Sequence, residues 1–137
     1  MRAILLLVST ALLATACSTA PQTQDAQAVA EEYALAIVRQ DTRAANRLAE
    51  FEVTQELAAK QRYRMLRDED PRQVDSVSLQ AVTIGSDAIL FSFLGYTADG
   101  AFVETSGQLD DVLVQTVRKN DRWEVIAVIS GETDLSR

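Results

Sequence analysis

The chain has no histidine, one cysteine, two prolines and five glycines among its 137 residues. Without histidine it lacks the commonest general base and the commonest metal ligand. Neither a Ser-His-Asp nor a Cys-His nucleophile can be assembled. Cys17 is the only thiol, so a zinc site of the usual nitrogen–sulfur kind is excluded, as is an intramolecular disulfide. Positive charge is also short: 13 Lys and Arg stand against 20 Asp and Glu, a net charge of −7. Nucleic-acid binding rests on Lys and Arg neutralising phosphates, so no nucleic-acid partner is expected. Anionic lipid head groups should repel the same surface, which leaves lipid chains as the route to a membrane. No internal repeat, metal site or cofactor motif is visible, and no cofactor is expected.

What is present is an apolar beginning. After Arg2, residues Ala3 to Leu13 are all apolar or small. That run is shorter than the roughly 20 residues needed to cross a bilayer, and it fits the h-region of a secretory signal, about 7–15 residues long. A buried N-terminal helix is the competing reading, but Ile4–Val8 offers no polar face. The segment Leu13-Ala14-Thr15-Ala16-Cys17 resembles the lipobox of bacterial lipoproteins, with small residues at Thr15 and Ala16 before the cysteine. The resemblance implies a signal peptide over 1–16 and an acylated Cys17 (palmitate among its chains) as the first mature residue. Stable anchoring needs more than one fatty chain, and that family carries two or three. Loss of Arg2 with the leader moves the net charge from −7 to −8. Ser18 in place of Asp implies, in a Gram-negative cell, the periplasmic side of the outer membrane. In a Gram-positive cell the anchor would hold the outer face of the plasma membrane.

The rest reads as a lipidated cysteine and flexible tether over 17–24, a single α+β domain over 25–130 and a frayed tail over 131–137. Asp25 is the expected cap of a first helix with Val29, Tyr33, Ala36 and Ile37 on its apolar face. Asp41 caps a second helix with Ala44, Leu48 and Phe51 inward. Phe51–Thr54 is a turn or a very short strand. Thr54 opens a third helix with Ala58, Ala59, Tyr63, Met65 and Leu66 on its apolar side, ended by the proline of Asp70-Pro71. Lys60, Arg62, Arg64, Arg67 and Arg72 form a basic cluster, read as a solvated face among Glu56, Asp68, Glu69 and Asp70, with an anion or partner site as the alternative.

From Val74 the pattern alternates, predicting a curved antiparallel meander of four or five strands with hairpins at Asp99-Gly100 and Asn120-Asp121. Ile89, Phe91, Phe93, Val112, Val114, Trp123, Val125 and Ala127 would form the face under the helices. Leu90, Leu94, Leu113, Val117, Ile126 and Val128 would make the other face half-apolar, and a wetted face should be mainly polar. Either a homodimer or envelope protein partner covers it, or the third helix or the curl of the sheet does so within the monomer. Helices followed by a meander ending in Val112–Val128, with Trp123 just after the turn, resemble the nuclear-transport-factor-2-like superfamily. A cystatin-like arrangement is the nearest competitor.

That resemblance implies a cone whose interior serves, in some members, isomerase or dehydratase chemistry. Here Glu104 and Asp111 would be the acid/base candidates, with Tyr33, Tyr63 and Tyr96 as donors. Tyr33, Phe91, Phe93 and Trp123 would line the pocket or simply be core. The expected function is a membrane-anchored, non-catalytic interaction module, with a small-ligand carrier or enzyme as the alternative.

Overall fold

An alanine-rich stretch with proline at its head forms the first helix. The computed structural model describes residues 21–66, 73–105 and 111–137. The expected signal helix 1–16, the lipidation site Cys17, tether residues 18–20 and Arg67 and Arg72 lie outside the described residues. Helix α1 spans Pro21–Val38. It starts ahead of Asp25, the expected cap, and takes the second half of the expected tether. The reason is that proline, with its fixed φ and missing N–H, suits a first helical turn. Ala26, Ala30, Tyr33, Ala34 and Ile37 are fully buried, a stripe in which small side chains let the helix lie close on the sheet.

One short segment both stops α1 and starts the next helix. Gln40 takes a left-handed φ of 59°. Its N–H donates to Ile37 O at 3.0 Å, and the Asp41 N–H donates to Ala36 O at 2.8 Å. These are the paired bonds of a Schellman ending. The Asp41 carboxylate then accepts from Ala44 N at 3.1 Å and caps α2, Thr42–Leu48, as expected. After α2, Ala49 makes a lone parallel bridge to Val125, and the Glu50 N–H donates to Val125 O at 2.9 Å. The bridge lies just ahead of Phe51–Thr54, expected as a turn or a very short strand, which itself pairs with nothing in the sheet. Asn46 staples the following turn, accepting from Val53 N at 2.8 Å and donating to Val53 O at 2.9 Å.

Helix α3, Gln55–Met65, is capped by Thr54, whose hydroxyl accepts from Leu57 N. Its buried stripe is Leu57, Ala58, Gln61 and Met65. Ala59 and Tyr63 face solvent instead, with Tyr63 63% exposed. Counting only apolar residues misplaced this stripe, because its central member is a glutamine.

The helices pack on an antiparallel sheet of six strands, one or two more than expected. These are β1 (Val74–Ile84), β2 (Ala88–Ala98), β3 (Ala101–Glu104), β4 (Val112–Lys119), β5 (Arg122–Ser130) and β6 (Thr133–Asp134), in the order β1-β2-β4-β5-β6, with β3 also on β2. Asp99 and Gly100 have φ of 52° and 77°, and Asn120 and Asp121 of 51° and 60°. Such paired positive values belong to primed two-residue hairpin turns, whose twist matches that of the strands.

The β1–β2 pairing slips three times, leaving Asp75, Leu94 and Val82 as extra residues. Each bulge bends its strand and adds twist. A fourth slip lies between β4 and β5, where Thr116 faces Val125 and Gln115 faces Ala127. The extra residue there, Ile126, inverts the alternation that follows. Val128, expected on the outer face, is therefore fully buried, and Ala127, expected inside, is only half-buried. Leu90, Leu94, Leu113, Val117 and Ile126 of the outer face are also half-buried.

The sixth strand comes from the tail expected to fray. Gly131, with φ 59°, turns the chain, β6 pairs with the end of β5, and the Leu135 N–H donates to Val128 O at 2.6 Å.

Candidate functional site

The space between helices and sheet holds a polar relay. Tyr33 of α1 and Gln61 of α3 are both fully buried. The phenol donates to Gln61 Oε1 at 2.6 Å, and Gln61 Nε2 donates to Leu135 O at 2.7 Å. A buried amide carries donors and an acceptor that must be matched, and this chain of bonds matches one of each. It ties α1, α3 and the C-terminal segment together through one side chain. The Tyr33 ring meets Phe51 edge-on, with centroids 6.2 Å apart. Burial pushes the Tyr33 phenol well above its ordinary value, against a smaller downward effect from Gln61. At neutral pH it is a fixed hydrogen-bond donor and not a proton acceptor.

The expected aromatic residues all lie inside. Phe91 and Phe93 on β2 and Trp123 on β5 are at most 6% exposed and belong to the core around Ile37, Met65 and Val114. The acid/base candidates lie elsewhere. Glu104 ends β3 and Asp111 immediately precedes β4, both solvent-exposed. The three tyrosines are dispersed: Tyr33 in the helical layer, Tyr96 buried on β2 and Tyr63 exposed on α3. The structure therefore brings the aromatic set together as core and does not bring the carboxylates to it. Among the described residues, no three His, Cys, Asp or Glu are grouped to hold a metal. None of the described helices is long and apolar enough to cross a membrane.

Neither the family models, the curated proteins nor the solved structures contain a match to this chain. Its chemistry must be read from its own side chains.

Outside the core, an open groove of about 550 Å³ runs between α3 and the C-terminal segment, lined by Ala59, Lys60, Tyr63, Arg64 and Thr133. Lys60 pairs with Glu56 at 3.5 Å, one turn earlier on the helix. Arg62 turns back and donates to Val38 O at 3.0 Å, capping the end of α1. The basic face is thus partly spent on the fold. Sequence reasoning missed Gln61 and Thr116. Thr116 is fully buried and donates to Ile89 O at 2.9 Å. In both cases the available signal was a polar residue in phase with an apolar stripe: Leu57-Ala58-Gln61-Met65 for one, Val112-Val114-Thr116 for the other.

Proposed function

We propose that this chain is an exported lipoprotein, acylated at Cys17, whose α+β domain serves as a non-catalytic interaction module at a membrane surface of the cell envelope. The observation that carries this reading is the leader itself. An apolar run of signal length ends in small residues and the chain's only cysteine. Because α1 begins at Pro21, the fatty chains would sit four residues from the folded domain. The non-catalytic half of the reading is supported by the interior. Tyr33 is committed to Gln61, and the carboxylates Glu104 and Asp111 face solvent.

The likeness to the nuclear-transport-factor-2-like superfamily belongs to this proposal as well. It is supported by three helices preceding the sheet, by Trp123 one residue beyond a tight turn and by the Ala49–Val125 bridge between α2 and α3. Labelled palmitate tests the central claim. Incorporation by the wild-type chain and its loss in Cys17→Ser are expected. Equal labelling of both chains, or an intact Met1 with a free Cys17 thiol in the purified protein, would refute the anchor.

A further inference from the structure

If Cys17 carries the lipid, the fold fixes which end of the domain meets the membrane. Helix α1 lies antiparallel to β1. Near its end, Arg39 Nε donates to Val74 O at 3.0 Å, and nearer its start Gln27 Nε2 donates to Leu79 O at 3.2 Å. From Gln27 back to Pro21 the helix covers about 9 Å, while β1 runs on from Leu79 to Ile84 over about 16 Å. The start of α1 and the end of β1 therefore share one end of the molecule. The link from Cys17 to Pro21 can reach about 14 Å at full extension, so acyl chains would enter the bilayer beside that end.

The same end carries exposed apolar side chains that the fold does not use. Val82 and Ile84 are 59% and 61% exposed. Ile84 pairs with Ile89, which is buried in the helix-facing core. Cross-strand partners share a face, so Ile84 lies on the rim of the helix-bearing side, beside the start of α1. The neighbouring hairpin tip is locked to this end, for Arg118 N donates to Asp87 O at 2.8 Å. Of its cations, Arg118 pairs with Asp87 at 3.5 Å and Lys119 with Glu50 at 2.6 Å, while Arg122 donates to the backbone carbonyl of Arg47 at 2.8 Å. Val82 and Ile84 themselves offer apolar contact.

We propose that the rim formed by Val82 and Ile84 is a lipid-contact surface. It dips into the head-group region next to the acylated Cys17 and holds the domain in one orientation, with the opposite end facing outward. Interfacial side chains settle about 5–10 Å into that boundary, within reach of so short a link. The outward end carries the Asp99-Gly100 hairpin, Phe102 and the Tyr63 groove. This inference rests on the acylation proposed above.

The test uses the full acylated chain in phosphatidylcholine vesicles, with a polarity-sensitive dye on a single new cysteine, since acylated Cys17 cannot react. Val82→Cys and Ile84→Cys replace exposed residues, and Phe102→Cys labels the opposite end. Dye at 82 and 84 should emit blue-shifted and be quenched by brominated lipid, while dye at 102 should do neither. Adding phosphatidylglycerol should change little, because the contact is apolar. Water-like emission at 82 and 84 in a chain whose mass confirms acylation overturns the lipid contact and leaves the anchor standing. An unmodified Cys17 in that mass measurement overturns both. A blue shift of equal size in the Cys17→Ser background without vesicles means that a second copy covers the rim, which also overturns the lipid assignment.

Discussion

Tyr33 and Gln61 show how much one residue pair can hold. Replacing Tyr33 with Phe keeps the ring against Phe51 but leaves Gln61 Oε1 buried without its 2.6 Å donor. The cost should be about 1–3 kcal/mol, measured by urea unfolding. The same residue sets an alkaline limit. Folded Tyr33 keeps its proton beyond the ordinary value of 10.0, at which the unfolded chain releases it. Above that pH the unfolded state binds fewer protons, so stability falls as pH rises, by up to about 1.4 kcal/mol per unit. Lys119, held protonated by its hydrogen bond to Glu50, adds a slope of the same sign, weakened by its exposure. Wild type should therefore lose stability above pH 10 more steeply than Tyr33→Phe; equal slopes would show that Tyr33 ionises normally in the fold. Gly95 is a second such position. A Cβ there would clash with the Val103 carbonyl oxygen and come within 3.1 Å of the Glu104 Cα. Gly95→Ala should cost roughly 1–3 kcal/mol in the same assay by overpacking a backbone that cannot give way.

Among the elements, the α1–α2 junction spends stability at one residue. Gln40 holds a left-handed φ of 59° with an ordinary side chain, in a position where glycine carries no Cβ penalty. Gln40→Gly should raise stability by about 0.5–1 kcal/mol, read as a higher denaturant midpoint at unchanged slope. A lower midpoint would mean that the Gln40 side chain holds the junction in some other way. This junction was half legible in the sequence. Asp41 announced itself as a cap, whereas a left-handed glutamine leaves no mark in composition. The strands divide in the same way. Alternation identified the Phe91, Val114 and Trp123 face, because period-two burial is written directly into residue order. It failed at Val128, because the extra Ile126 of the bulge shifts the phase and only the pairing with β4 reveals the slip. The aromatic residues and the carboxylates formed one candidate site only through the family resemblance. Tyr33 stands on α1 and the others on or beside strands, and burial, which separates Trp123 from Glu104, is a property of the assembled layers.

For the whole molecule, the least legible feature is how the C-terminal segment meets α1 and α3. Gly131–Arg137 is short, polar and terminal, all signs of fraying, yet Leu135 is 5% exposed. Its N–H bonds Val128 O, and its carbonyl is the acceptor for Gln61 Nε2. The tail thus completes the relay that begins at Tyr33, and α1, α3 and β5 are joined through it. Truncation after Asp134 tests whether this closure is integral. The shortened chain loses the buried Leu135 side chain, worth about 1.5–3 kcal/mol. It also strands the Gln61 amide at a further cost of about 1–3 kcal/mol. If the tail merely lies on the surface, truncation should leave the unfolding midpoint and the Tyr33 environment unchanged. If it closes the core, stability should fall by roughly 3 kcal/mol or more by these two contributions, and the Tyr33 phenol should begin to ionise nearer pH 10 in an ultraviolet titration. The shorter variant Leu135→Ala separates the contributions, since it keeps the carbonyl that Gln61 needs and removes only the side chain. Its loss should be the smaller of the two, with the Tyr33 titration left where the wild type has it.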